Sequence, residues 1–401
     1  MKIAMVSLIT KTADLPQKAV PPMVAGNLAP QSDCDLNIVE LARHVALLGH
    51  EVTVFAADAF LPKERCPPEK GLSIDYLTTR AKGALPPAIW PFTPSLAGRV
   101  ARDRYDVIMT TELFQPATLL AWWANKGLAG RAFVWQELDI LWRGPAGKVQ
   151  HAYYRSLGRK VAQDSTGIIT RSISARSHLE EEGVPSRKIS RKVVHSGVNC
   201  DRFRPLDRSR ARSRFGLEGF EDVLLCVGRL HPNKGMDRLV NIMPRLLEER
   251  KDAVLVLKGT GPQEEELRRL VASLGMDEHI RIITEHIPLD DMPWLFNSAD
   301  MLAVSSRIDL FPFTAIEANS CGVPVATSFA RGLKTDIVEK GGGFILPEDE
   351  PGMTGKLIEL LSDKAQLRSV GVTSRQLAET EFCFKVGAQR LVEIFGGGLD
   401  A

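Results

Sequence analysis

The sequence predicts two doubly wound α/β domains, one after the other. Three observations predict this: short β-rich runs alternate with stretches of helical period, the alternation starts afresh near residue 222, and 401 residues exceed one ordinary core. Open parallel sheets bind ligands beyond the carboxyl ends of their strands. Two such Rossmann-like domains facing across a cleft would therefore line it with loops from both.

The first half carries the runs "KIAMVSLIT", "HEVTVFAA", "LSIDYL", "YDVIMTT", "AFVWQE", "GIITRS" and "KVVHSG". Between the first two, Ile38, Leu41, Ala42, Val45 and Leu48 recur at helical spacing and stop at Gly49, a natural C-terminal cap. Strand, helix, strand in repetition means a parallel sheet covered on both faces. The second half starts over with "DVLLCVGR", "AVLVLKG", "IRIIT", "DMLAVSS", "VPVATS" and "GGFILP", separated by helical segments such as "DRLVNIMPRLLEER". The join falls at residues 197–219, whose arginines read as a solvated linker broken by Pro and Gly, with a contribution to an anion site as the alternative. Phe384, Ala388, Leu391 and Phe395 mark a last amphipathic helix. The expected domains are thus 1–200 and 201–380, with a closing helix in 381–401 that crosses back to the first.

With 44% hydrophobic and 25% charged residues, the composition is that of a globular protein, not a collagen-like or disordered one. A net charge of +2 argues against a nucleic-acid-coating surface. The six cysteines are scattered without a CxxC pair, which favours reduced thiols and a cytoplasmic location over a disulfide framework. The first ten residues read as a strand and not as a signal peptide, and no apolar run reaches membrane-spanning length. The histidines form no HExxH or Cys/His cluster, so no metal site is expected. The pair Trp122 and Trp123 reads as core or interdomain packing, with contact to an acceptor or a membrane surface as the alternative.

Chemistry is expected in the loops that follow strands. In "VGRLHPNKG", Gly228 lets the chain turn sharply, and Arg229 and Lys234 offer a planar fork and a mobile point charge that together suit a diphosphate. In "DLFPFTAIEANSCG", Pro312 stands where an N1 proline would start a helix, leaving the N–H groups of Phe313 and Thr314 for an anion. Glu317, one turn on, could accept hydrogen bonds from two vicinal hydroxyls such as a ribose presents, and Asp309 would face the far side of the phosphates. "KGTGPQEEEL" resembles a dinucleotide fingerprint without its third glycine and is expected to be a Gly-rich turn. "ARGLKTD" brings Arg331, Gly332 and Lys334 to another strand end. His286 reads as a loop residue, or as a flat ring against a base.

In that order, "GRLHPNKGMDRLV", "KGTGP", "SADMLAVSS" and "DLFPFTAIEANSCGVPVATS" resemble the nucleotide-binding half of the retaining glycosyltransferases of family 4, which have the GT-B fold. "ELARHVALLGHEVTVF" and "HSGVNCDRFRP" are similar to that family too. The resemblance implies that Arg229 and Lys234 bind the donor diphosphate, that Glu317 holds the nucleotide ribose, and that Asp309, first acid of the E-x7-E pattern, contacts the donor sugar. Gly228, Phe311, Phe313, Thr314, Ile287 beside His286, and Arg331 complete the donor-binding set.

Three departures stand out. Asp replaces Glu at 309, Ser32-Asp33 replaces a Gly-Gly loop, and Gln136 and Glu137 stand where many members show a histidine. Glu137 is the residue left to activate or orient an acceptor hydroxyl.

The expected activity is metal- and cofactor-independent transfer of a hexose from a UDP- or GDP-sugar to a glycan or lipid-linked acceptor, in cell-envelope or exopolysaccharide synthesis. The enzyme would be cytoplasmic, or peripheral at the inner membrane face. The alternatives are a non-catalytic sugar-nucleotide-binding partner protein, a nucleotide-sugar 2-epimerase and, more distantly, a Rossmann oxidoreductase.

Overall fold

A computed structural model describes residues 1–9, 32–34, 36–84, 90–139, 141, 144–309, 311–328 and 331–399. The chain forms two compact units. One gathers Met1–Gly197 and the chain from Phe384 onward, and the other is Val198–Cys383.

The first unit is built on seven parallel strands: β1 (Lys2–Val6), β2 (Glu51–Ala57), β3 (Leu72–Leu77), β4 (Val107–Thr111), β5 (Arg131–Gln136), β6 (Gly167–Thr170) and β7 (Ile189–Val193). Their order is β3-β2-β1-β4-β5-β6-β7, so the winding reverses between β1 and β4. Alternate residues feed two cores. Ile3, Met5, Val52, Val54, Val107 and Met109 pack with Val39, Ala42 and Val45 of the helix Asn37–Leu47 and with Phe384, Leu391 and Phe395 of the final helix Phe384–Gly397. Ala4, Val6, Phe55, Ala57 and Ile108 point the other way, onto Leu96 and Val100. The final helix is thus part of the first unit's core.

The second unit has six parallel strands: β8 (Asp222–Val227), β9 (Ala253–Lys258), β10 (Ile280–Ile283), β11 (Met301–Val304), β12 (Val325–Thr327) and β13 (Gly343–Ile345). Their order is β10-β9-β8-β11-β12-β13, with the reversal between β8 and β11, where Met301 pairs with Leu224 and Leu302 with Leu225.

Two expectations are corrected. The arginine-rich stretch is no solvated linker. Residues 208–214 are helical, capped by Asp207, and Arg208 and Arg212 both reach the buried carboxylate of Asp300 at 2.9 and 2.8 Å. Lys364 Nζ lies 3.3 Å from Asp300, and the Val223 amide donates to it at 2.8 Å. A carboxylate taken out of water needs such partners, and these cations come from distant parts of the sequence. They clamp the amino ends of β8 and β11.

Nor are all the thiols reduced. Cys34 and Cys66 form a disulfide, while Cys200, Cys226, Cys321 and Cys383 are free and buried. Asp33 explains the meeting: its buried carboxylate accepts from the Cys66 amide at 2.6 Å and from Arg65 Nε at 2.9 Å, drawing the two loops together. Among the described residues, Asp33, Cys34 and Cys66 are also the one group of potential metal ligands, with both sulfurs already bonded to each other.

Removing Asp300 leaves three cations facing an apolar strand end. Asp300→Ala should cost about 3–5 kcal/mol of stability, measured by urea unfolding; a loss below about 1 kcal/mol would show that the clamp contributes little.

Candidate functional site

The second unit's site is assembled where its winding reverses, on the loops after β8 and β11. After β8, the Gly228 amide donates to Lys258 O at 2.9 Å and the chain enters a 3-10 turn, Pro232–Lys234. Gly235 follows with a φ of 64°, and a Cβ there would lie 2.2 Å from the carbonyl oxygen of Ser305. Only glycine lets these two loops touch. Ser305 Oγ then donates to Gly235 O at 2.8 Å, the Arg307 amide to Asn233 O at 2.7 Å, and the Arg307 guanidinium grips both oxygens of Asp237. The glycines of "KGTG" serve the same end. A Cβ at Gly259 or Gly261 would collide with the Gly228 or Leu230 carbonyl, which fits the expected Gly-rich turn.

Within this frame Lys234 Nζ lies 2.6 Å from Asp309 Oδ2, which also accepts from Ser306 Oγ at 3.1 Å. The two residues that sequence reasoning assigned to diphosphate and sugar are therefore direct neighbours. Arg229 is exposed on the same loop. The His231 imidazole is held below its ordinary pKa by burial and by the charges of Arg229 and Lys234, so both cations act on one small region. His231 itself accepts from the Asn233 amide at 3.2 Å and shapes the turn.

The helix Phe313–Ser320 follows β11. Pro312 is extended, with ψ 126°, and occupies the N-cap and not N1, one residue earlier than expected. Phe313 and Thr314 are then the first two helical residues, whose amides have no acceptor within the helix. The Phe311 ring is buried against Phe382 at 6.1 Å, so its side chain serves packing and only its backbone is left for a ligand.

Glu317 is half-buried, and its side chain has no hydrogen bond or ion pair among the described residues. Burial raises its pKa to about 7. His286 is exposed and Ile287 half-buried on the loop after β10, which Lys258 pins by donating to Glu285 O at 2.7 Å. Lys258 was missed because a lysine ending an apolar strand has no distinguishing spacing. Arg331 begins a short helical turn, and its side chain lies outside the described residues.

Residues 37–192 match the family model of a Glycosyl transferase 4-like domain, and residues 207–376 that of Glycosyl transferases group 1. The chain belongs to the GT-B glycosyltransferases of family 4. It is 30% identical over 257 residues to the GDP-mannose-dependent alpha-(1-6)-phosphatidylinositol monomannoside mannosyltransferase of Mycolicibacterium smegmatis, a match covering 62% of this chain and 66% of that relative. Less than two thirds of that relative's length is therefore spanned. The D-inositol 3-phosphate glycosyltransferase of Thermobispora bispora is 26% identical over 90% of this chain and 89% of its own. HepE of Anabaena, solved in complex with UDP, superposes with a TM-score of 0.72 over 98% of this chain and 99% of that one at 16% identity, a likeness of fold.

In this GT-B glycosyltransferase the first unit's departures find physical explanations. The Asp33 carboxylate is buried and accepts from Arg65, the Cys66 amide and, at 3.3 Å, the Tyr76 hydroxyl. Gln136 is fully buried, whereas Glu137 is about a third exposed and pairs with Arg171 at 3.3 Å. Sequence reasoning passed over Glu112, at the end of β4. Burial and the charge of Glu137 raise its pKa to about 8, opposed by hydrogen bonds from the Leu138 and Glu137 amides.

An acid whose pKa is raised by folding contributes stability below its unfolded value, and that contribution is lost as pH rises through the folded value. Glu317→Gln should therefore melt higher than the wild type at pH 8, by roughly 1 kcal/mol after allowing for solvent screening, and the gap should close as pH falls from 7 towards 5. Parallel melts at the two pH values check this; a pH-independent gap would contradict it.

Proposed function

We propose that this protein transfers a hexosyl group from a nucleotide diphosphate sugar to an acceptor hydroxyl with retention of anomeric configuration. The observation that carries this reading is the pairing of Lys234 with Asp309 at the strand reversal, followed by a helix that bears a half-buried Glu317 with no hydrogen-bond partner among the described residues. A diphosphate at this point would meet Arg229, Lys234 and the first-turn amides of the helix Phe313–Ser320. As the bond from the anomeric carbon to the diphosphate oxygen breaks, its electron pair leaves on the diphosphate, and these groups stabilise the growing charge. Glu317 accepts hydrogen bonds from the ribose hydroxyls, and the loop of His286 and Ile287 meets the base. Asp309 anchors Lys234 and turns its other side to the sugar. Phe311, Gly228 and Arg331 complete the donor surface through backbone or charge.

The acceptor oxygen bonds to the anomeric carbon on the face from which the diphosphate departs, its proton passing to the departing diphosphate oxygen, and Glu137 of the first unit is the carboxylate this reading assigns to orienting an acceptor hydroxyl. The donor requirement of the Mycolicibacterium relative makes GDP-mannose the first sugar nucleotide to test, followed by UDP-glucose. Cell-envelope or exopolysaccharide synthesis in the cytoplasm is the setting this reading implies.

A lipid-linked acceptor and peripheral membrane contact are supported by one face of the first unit. Lys148, Arg155, Arg159 and Lys160 are exposed on the helical stretch 145–164 together with Val149 and Leu157. Trp123 is 65% exposed, against the expectation of packing, and Trp122 donates to Asp164 at 3.1 Å with Lys126 over its ring. Bases interleaved with apolar groups suit an anionic bilayer surface. No helix among the described residues is long and apolar enough to cross a membrane.

Lys234→Ala should lower turnover of the sugar nucleotide by about 100-fold or more while shifting the melting temperature little; near-normal turnover would sink the scheme. Calorimetry with GDP and UDP should show Glu317→Ala binding nucleotide at least about tenfold more weakly, and equal affinity would remove Glu317 from the ribose site.

A further inference from the structure

The first sheet has its own reversal, between β1 and β4, and Glu112 stands directly after β4. Its φ is 65°, in a region that residues other than glycine rarely enter and that surrounding contacts must enforce. Those contacts are visible. The Glu112 amide donates to Trp135 O at 3.0 Å. Its Oε1 accepts from the amides of Glu137 and Leu138, each at 2.8 Å, and its Oε2 accepts from Gln136 Nε2 at 2.8 Å. Gln136 closes the circuit, accepting on Oε1 from the Leu113 amide at 3.0 Å while Nε2 also reaches Leu138 O at 3.1 Å. The loops after β4 and β5 are thereby stitched together by one carboxylate and one carboxamide, both ends of each in use. A fully buried carboxamide bound in this way cannot stand in for a reacting imidazole.

The stitched turn presents Glu137, whose carboxylate alone among these three side chains is left free to meet a ligand on its exposed side. Arg171, directly after β6, sets its direction from 3.3 Å. Arg171 is itself 5% exposed, its amide donates to Gln136 O at 2.9 Å, and its Nε has no hydrogen-bond partner among the described residues. Three strand ends thus converge on one half-exposed acid.

We propose that Glu112 is a positioning residue of the acceptor half: it locks the turn 136–138 so that Glu137, oriented by Arg171, is held at the carboxyl edge of the first sheet to orient an acceptor hydroxyl by accepting its hydrogen bond. This rests on the transfer reading above. Glu112 touches neither substrate, and its effect passes through the Glu137 and Leu138 amides.

The test uses the full chain with GDP-mannose or UDP-glucose, and with D-inositol 3-phosphate, phosphatidylinositol monomannoside and water as acceptors. Glu112→Gln sets an amide donor against Gln136 Nε2, and the swap Glu112→Gln with Gln136→Glu gives that donor an acceptor again while giving up the bond from Nε2 to Leu138 O, so it restores the link in part. The single variant should melt near the wild type and bind GDP or UDP within about twofold, while kcat falls about 30-fold or more. The swap should recover about tenfold of that loss. In a Glu137→Gln background, Glu112→Gln should add almost nothing, because both changes remove one function. A folded Glu112→Gln variant with wild-type kcat overturns the proposal, and so does a loss of equal size in the Glu137→Gln background. A wild-type protein that binds nucleotide sugar yet turns over none of these acceptors also overturns it, whereas one that binds neither nucleotide fails the transfer reading itself.

Discussion

The adjacency of β8 and β11 is the constraint on which the second unit's candidate site depends. These two parallel strands are neighbours only because the winding reverses there, and they share just two paired positions. Their amino ends are bound by Asp300 and the cations around it, and their carboxyl ends by the contact of Gly235 with Ser305. With both ends held, Lys234 and Asp309, seventy-five positions apart in the chain, come within hydrogen-bond distance. A shift of one strand against the other would separate them and leave an ammonium and a carboxylate each without its partner.

The acids of this molecule divide by how fully they are satisfied. Asp300 and Asp33 are buried and saturated with donors, so their charge is spent on holding loops and strand ends. Glu317 is the opposite case: burial raises its pKa and no described residue donates to it, which lowers stability at neutral pH and above. A side chain kept in that condition is one whose donors are expected from a ligand. Asp309 lies between the two extremes, paired with a lysine that can also turn to an incoming anion.

The thirteen strands were legible because parallel strands buried on both faces read as short apolar runs, and the period of the intervening helices separates them. The loops that carry Arg229, Lys234 and Asp309 were legible because glycine, proline and charged residues follow strand ends at close spacing. Most of what escaped depends on a partner far away in the chain. The arginines of 208–214 look solvated until Asp300 is seen opposite them, and Cys34 and Cys66, 32 positions apart, meet where Asp33 and the Ser32–Glu64 bridge join their loops. Gln136 reads as a lost histidine until Glu112 is placed beside it. Pro312 was misplaced by one residue because proline suits both the N-cap and the first helical position.

The route of the chain has a consequence for biosynthesis. Residues 198–383 form one uninterrupted unit, but the core of the other includes Phe384, Leu391, Ile394 and Phe395, which follow that unit in the chain. During translation the early strands emerge first and yet part of one face of their sheet, beside the helix Asn37–Leu47, stays uncovered until the helix Phe384–Gly397 leaves the ribosome. The later-made unit can therefore complete its fold before the earlier one, and the nascent first sheet is the segment most in need of chaperone protection.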